Sequence, residues 1–203
     1  MKYLLDTANL ADIRRFYDIF PIAGVTSNPS IVKREGNVDF FAHMKEIRSI
    51  IGSEKALHIQ VTALDTEGML KDADTILEKV DPDVYVKVTV TMEGIKAIRL
   101  MKQNGIRVTG TVVYGKQQGF LAMEAGADFI APYFNRMENL GIDPDDVIAS
   151  LAEMIALYDY PTQILAASFK NAGQVDRAFL AGAQPATMDP SILEGMLAQP
   201  HNT

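Results

Sequence analysis

The chain contains no cysteine. A disulfide framework, a cysteine nucleophile and a thiolate metal site are therefore excluded, and a reducing, cytoplasmic setting is compatible with that lack. Only three histidines occur, His43, His58 and His201, at unrelated places. A zinc or iron site built on several imidazoles is not expected, and no histidine stands at a strand end for a Ser-His-Asp hydrolase. Apolar runs are short. None approaches the roughly 18 residues of a membrane span, and Met1-Lys2-Tyr3-Leu4-Leu5-Asp6 meets an acid too soon for a signal peptide, so a soluble protein is expected. Positive charge is also scarce: 19 Lys and Arg against 26 Asp and Glu leave a formal charge of -7. That balance argues against nucleic-acid and membrane partners, yet one or two local cations could still hold a phosphate.

With 203 residues, 48% of them hydrophobic, the chain suits one domain with a full core. Strand-like runs end at Asp6, Asn28, Thr62, Thr91, Val113, Pro132, Ser168 and Met188. Segments with apolar residues at helical spacing follow them. The first is Leu10, Ile13, Phe16, Tyr17 and Phe20. Later helices carry Phe40 to Ile51, Met69 to Val80, and Ile95 to Met101, the last stopping at Gly105, a suitable residue after a helix end. Asp143-Pro144-Asp145-Asp146 offers a cap, a proline at the first helical position and an acidic first turn. Asn171 and Asp189-Pro190 open the last two helices. Eight strand-then-helix units without a linker predict an α/β protein of the (β/α)8 TIM barrel class spanning 1–203. A doubly wound open sheet is the alternative, but no G-x-G-x-x-G follows any strand.

The fourth predicted strand lies in Asp83-Val84-Tyr85-Val86-Lys87-Val88-Thr89-Val90-Thr91, an apolar run suited to burial on both faces. Lysine is depleted in strands and rarely buried. A desolvated Lys87 would lose part of its preference for the ammonium form and become an amine nucleophile able to form a Schiff base. The ordinary alternative is a strand-end lysine that snorkels to water.

Barrel chemistry takes place at the C-terminal ends of the strands. The polar residues predicted there are Asp6, Thr26, Asn28, Gln60, Lys87, Thr111, Tyr133, Arg136, Ser168 and Lys170. Each alone has a plain explanation as a helix cap, a strand filler or a solvated charge. Together, around one lysine, they predict a site for carbonyl chemistry in which an iminium takes up the electrons of a breaking C–C bond. Such chemistry needs no metal and no cofactor. Arg136, Ser168 and Lys170 could hold a phosphate near the loops after strands six and seven.

The segments "LLDTANL", "AGVTSNPSIV", "VKVTVTMEGIKAI", "GTVVYGKQQG", "GADFIAPYFNRM" and "ILAASFK" resemble the small transaldolase family, collinearly over roughly residues 1–198. The resemblance implies a (β/α)8 barrel with its Schiff-base lysine on the fourth strand, which is Lys87 here. It implies that Asp6 and Asn28 contact the sugar hydroxyls and the iminium end, and that Thr26 lines the same end. Gln60, Thr111 and Tyr133 would hold the water that shuttles protons. Arg136 and Ser168 would bind a phosphate, with Lys170 as a further candidate.

Gln60 and Tyr133 resemble the aldolase branch of that family, where the transferase branch usually has glutamate and phenylalanine. The implied activity is cleavage of fructose 6-phosphate to dihydroxyacetone and glyceraldehyde 3-phosphate. Transfer of the three-carbon unit to another aldehyde, and a non-catalytic phosphosugar-binding barrel, stay open beside it. The resemblance also implies a cytoplasmic homo-oligomer, in the family a pentamer or decamer. The chain departs from the family at Thr89, commonly proline, and in "GAQPATMDP" around the eighth strand. It ends at Gln199-Pro200-His201-Asn202-Thr203, where the family continues into a further helix packed on a neighbouring subunit, so the decamer is an open expectation.

Overall fold

The computed structural model describes residues 1–198. The tail Gln199-Pro200-His201-Asn202-Thr203, with the expectation about a further helix, lies outside them. Eight strands run β1 (Lys2–Asp6), β2 (Ile22–Thr26), β3 (Ala56–Gln60), β4 (Tyr85–Thr89), β5 (Val108–Val113), β6 (Phe129–Pro132), β7 (Gln163–Ile164) and β8 (Pro185–Met188). Among the described residues ten helices alternate with and follow them: α1 (Leu10–Ile19), α2 (Pro29–Arg34), α3 (Phe40–Ile51), α4 (Thr66–Lys79), α5 (Met92–Gln103), α6 (Lys116–Glu124), α7 (Phe134–Asn139), α8 (Pro144–Tyr158), α9 (Ala172–Leu180) and α10 (Pro190–Gly195).

All strand pairs are parallel, in the order β7-β6-β5-β4-β3-β2-β1-β8. The sheet closes between its two ends through an Ala166–Ala186 bridge. There the Ala166 N–H donates to the Pro185 oxygen (3.1 Å) and the Thr187 N–H to the Ala166 oxygen (2.9 Å). This is the (β/α)8 barrel that the sequence predicts.

The core sits between barrel and helices. On β4, Val86 and Val88 have no exposure and belong to a cluster with Ile98 and Met101 of α5. Side chains alternate across a strand, so Tyr85, Lys87 and Thr89 point the other way, toward the barrel axis. Helix starts follow the capping rules: the side chains of Asn9, Asn28, Asp39, Asp65, Thr91, Asp143, Asn171 and Asp189 each accept an N–H of the first turn. Gly94, in the first turn of α5, lies hard against β4. A Cβ there would fall 1.8 Å from the Thr89 oxygen, so only glycine lets helix and strand approach this closely.

Several boundaries differ from the sequence expectation, each for a local reason. The second strand ends at Thr26 rather than Asn28, because Asn28 caps α2, a short helix opened by Pro29 that precedes the expected one. The third ends at Gln60 rather than Thr62, whose N–H and hydroxyl both go to Asp72. The fifth begins at Val108 rather than Ile106. The Ile106 N–H instead returns to the Met101 oxygen (3.0 Å), closing a Schellman cap around Gly105 at φ +74°. The seventh is regular only over Gln163–Ile164, and Ser168 at its expected end adopts a left-handed φ of 63°. The long connection after β6 contains α7.

Candidate active site

A cavity of about 440 Å³ opens at the C-terminal end of the barrel. Every residue that the sequence singled out lines it: Asp6, Thr26, Asn28, Gln60, Lys87, Thr111, Tyr133, Arg136, Ser168 and Lys170. Lys87 lies at its floor, 5% exposed, so it does not snorkel. Its Nζ donates to the main-chain oxygen of Ser27 at 2.8 Å. Burial lowers the Lys87 pKa from that of an ordinary lysine, and Asp6 nearby opposes the shift. Burial likewise raises Asp6, while Lys87 and a hydrogen bond from Thr26 pull it back.

The polar groups fall into two sets. On one side Thr26 Oγ1 donates to Asp6 Oδ1 at 2.7 Å and lies 2.7 Å from Thr187 Oγ1. On the other, Thr111 Oγ1 and the Tyr133 hydroxyl are 3.1 Å apart. Burial raises the Tyr133 pKa, so its phenol stays protonated at neutral pH, while the Thr111 contact acts the other way. Gln60 Oε1 is buried with no hydrogen-bond partner, an acceptor left for a ligand or a water.

Arg136, on α7, donates to the Tyr114 hydroxyl (3.4 Å) and stands 5.6 Å from the Tyr133 ring centre. Ser168 and Lys170 share its side of the cavity, and the Lys170 N–H is held by Gln174. Two residues at the rim hold rare backbone conformations, Val112 at φ 63° and Ser168 at φ 63°. For a β-branched valine this is costly, and such strain collects at functional sites. It coincides with a register irregularity between Gly110 and Val113 that resets the end of β5 beside Thr111.

Four contributors escaped the sequence reading. Ser27 acts through its backbone, which no side-chain pattern reveals. Thr187 lies on the eighth strand, in the segment where the chain departs from the family pattern. Arg34, a cation of the cavity wall acting on Asp6, belongs to the short helix that was not expected. Tyr114 stands just past the end of β5, and a tyrosine at a strand end is a usable signal.

A buried amine at the mouth-side end of a barrel, ringed by hydroxyls, a carboxyl, an amide and cations, is an arrangement chemically able to attack a carbonyl carbon. The chain belongs to the transaldolase and fructose-6-phosphate aldolase family: the family model described as "Transaldolase/Fructose-6-phosphate aldolase" matches residues 3–203. A protein of Streptococcus pneumoniae (strain ATCC 700669 / Spain 23F-1) named "Probable fructose-6-phosphate aldolase" is 48% identical over 200 residues, covering 98% of this chain and 90% of that one. One of Agathobacter rectalis named "Probable transaldolase" is 36% identical over 200 residues, covering 98% and 91%. Among solved structures, dihydrodipicolinate synthase from Rhodopseudomonas palustris superposes with a TM-score of 0.65 at 13% identity, covering 92% of this chain and 69% of that one. That likeness supports the barrel fold alone. Among the described residues, no helix is long and apolar enough to cross a membrane.

Proposed function

We propose that the protein is a class I, Schiff-base aldolase that cleaves fructose 6-phosphate reversibly, acting as one barrel domain over residues 1–203. The observation that carries this reading is the buried Lys87, its pKa lowered by burial, at the floor of a polar cavity. A partly deprotonated amine attacks the C2 ketone, and loss of water gives the iminium. A water held among Gln60, Thr111 and Tyr133 takes the proton of the C4 hydroxyl as the C3–C4 bond breaks. The bonding electrons pass into the iminium, forming an enamine, and glyceraldehyde 3-phosphate leaves. Protonation at C3 regenerates an iminium, and its hydrolysis frees dihydroxyacetone and the amine. Asp6, Thr26 and Asn28 hold the hydroxyls of the three-carbon unit. Arg136, Ser168 and Lys170 take the phosphate. In this scheme the residues act without metal or cofactor, in a cytoplasmic homo-oligomer.

The second reading is transfer of the same enamine to an acceptor aldehyde, as the transaldolase-named relatives suggest. The Tyr133 phenol favours release over transfer, because it stands ready to protonate the enamine and pass water to the iminium. A non-catalytic sugar-phosphate-binding barrel is the third.

The first test is borohydride trapping. The protein is incubated with fructose 6-phosphate or dihydroxyacetone, reduced, and mapped by peptide mass. A substrate-dependent adduct on Lys87 is expected. No adduct with either ketone, from folded protein, overturns the aldolase reading in favour of the non-catalytic barrel. Product formation with and without erythrose 4-phosphate then separates lyase from transferase.

A further inference from the structure

A second cavity, of about 220 Å³, enters the barrel from the opposite, N-terminal end. It shares no lining residue with the first. The division falls between consecutive inward-facing positions: His58 below and Gln60 above on β3, Tyr85 and Lys87 on β4, Phe129 and Ala131 on β6. The cavities are therefore separated by two adjacent rows of side chains, and the lower row holds His58, Tyr85 and Phe129.

Of these three, His58 is fully buried, with no exposure. Its ring stacks on Tyr85 (4.8 Å between centres, 16° between planes) and meets the edge of Phe129 at 5.2 Å, while Tyr85 and Phe129 meet edge to face at 5.0 Å. Its Nδ1 lies 2.9 Å from Thr109 Oγ1, and Thr109 is the register partner of Lys87 on β5. We propose that the His58–Tyr85–Phe129 cluster is a partition that closes the barrel beneath Lys87 to water, and that His58 is a positioning residue for the amine. Its importance for catalysis rests on the reading of Lys87 as the nucleophile.

Two further observations support the assignment. Lys87 is only 5% exposed although it lines the upper cavity, so its cover comes from the side chains packed beside and below it, and burial lowers its pKa. Burial holds His58 far below an ordinary imidazole, at about 3, so it is neutral at working pH. Replacing it changes packing and hydration, not charge. The charged and titratable groups around the pair stay in place: Asp6, Tyr133 and Arg136 on the Lys87 side, and Arg48 of α3 facing His58. At the lower rim Lys2, Lys55 and Arg107 stand with Glu54 and Asp83.

The test measures Lys87 itself and needs no turnover. Trace acetylation with acetic anhydride over a pH series, read by peptide mapping, gives the midpoint at which Lys87 becomes reactive. His58→Ala opens the partition and is expected to shift that midpoint upward by about one pH unit or more. His58→Phe refills the row and is expected to keep the wild-type midpoint. A folded His58→Ala protein with an unchanged midpoint overturns the proposal, as does a His58→Phe shift as large as that of His58→Ala. Should His58→Ala not fold, His58→Val opens a smaller gap and is read by the same criteria. Trapping of wild-type Lys87 with dihydroxyacetone reports separately on the aldolase reading, so the two can fail independently.

Discussion

Lys87 Nζ donates a 2.8 Å hydrogen bond to the main-chain oxygen of Ser27, two strands away. Ser27 stands between Thr26 and Asn28, and its own N–H returns to the His58 oxygen at 3.2 Å. The amine is thus tied to the turn that carries two of its neighbouring polar groups. A neutral amine can donate this bond and keep its lone pair for a carbonyl carbon. A partner that is backbone rather than carboxylate does not stabilise the ammonium form as a full ion pair would.

Lys87→Arg is expected to abolish turnover and borohydride trapping. A guanidinium stays protonated and cannot serve as an amine nucleophile. Steady-state assays beside peptide mapping check this, and turnover retained in the variant would place the nucleophile elsewhere.

Tyr133→Phe removes the hydroxyl that lies 3.1 Å from Thr111 Oγ1. Loss of a positioned proton donor predicts a fall of about 10²-fold or more in dihydroxyacetone release. The unpaired threonine should cost only about 1 kcal/mol of stability. An unaltered lyase rate would remove Tyr133 from the proton path.

Arg136→Ala should raise KM for phosphorylated substrates by about 10- to 100-fold, the worth of one charge-assisted contact. Unphosphorylated aldehydes and ketones should change little. Equal effects on both kinds of substrate would mean that Arg136 does not hold the phosphate.

His58 should make the fold sensitive to acid. An unfolded chain binds a proton there below its ordinary value of 6.5, whereas the buried ring refuses one until about 3. Stability therefore falls as pH drops through that window, by up to about 4 kcal/mol at its lower end. His58→Phe should flatten this part of the profile, so its advantage over wild type in urea unfolding grows from pH 7 to pH 4. Parallel profiles would contradict a neutral, buried imidazole.

Gly94→Ala should destabilise the protein by about 1–3 kcal/mol, because the added methyl must push α5 off the Thr89 oxygen. Denaturant midpoints check it. Since Thr89 follows Lys87 on the same strand, activity per folded molecule should fall as well.

The sequence by itself determined the strand-then-helix alternation, the helix starts at Asp143, Asn171 and Asp189, and the family. Hydrophobic period, turn chemistry and short collinear motifs are local properties, readable without coordinates. It also placed the polar residues that line the upper cavity, since a barrel brings the ends of all its strands to one mouth. Boundaries were less legible. Whether Ile106 extends a strand or closes a helix depends on where its N–H finds an acceptor, and Asn28 left its strand to cap α2. Only the tertiary structure decided that Lys87 is buried rather than snorkelling, that Ser27 holds it through its backbone, and that His58 lines a second cavity on the far side of it. Those facts depend on closing the barrel. Desolvation and cross-strand contacts are produced by residues distant in the chain, and no local pattern records which of them will meet.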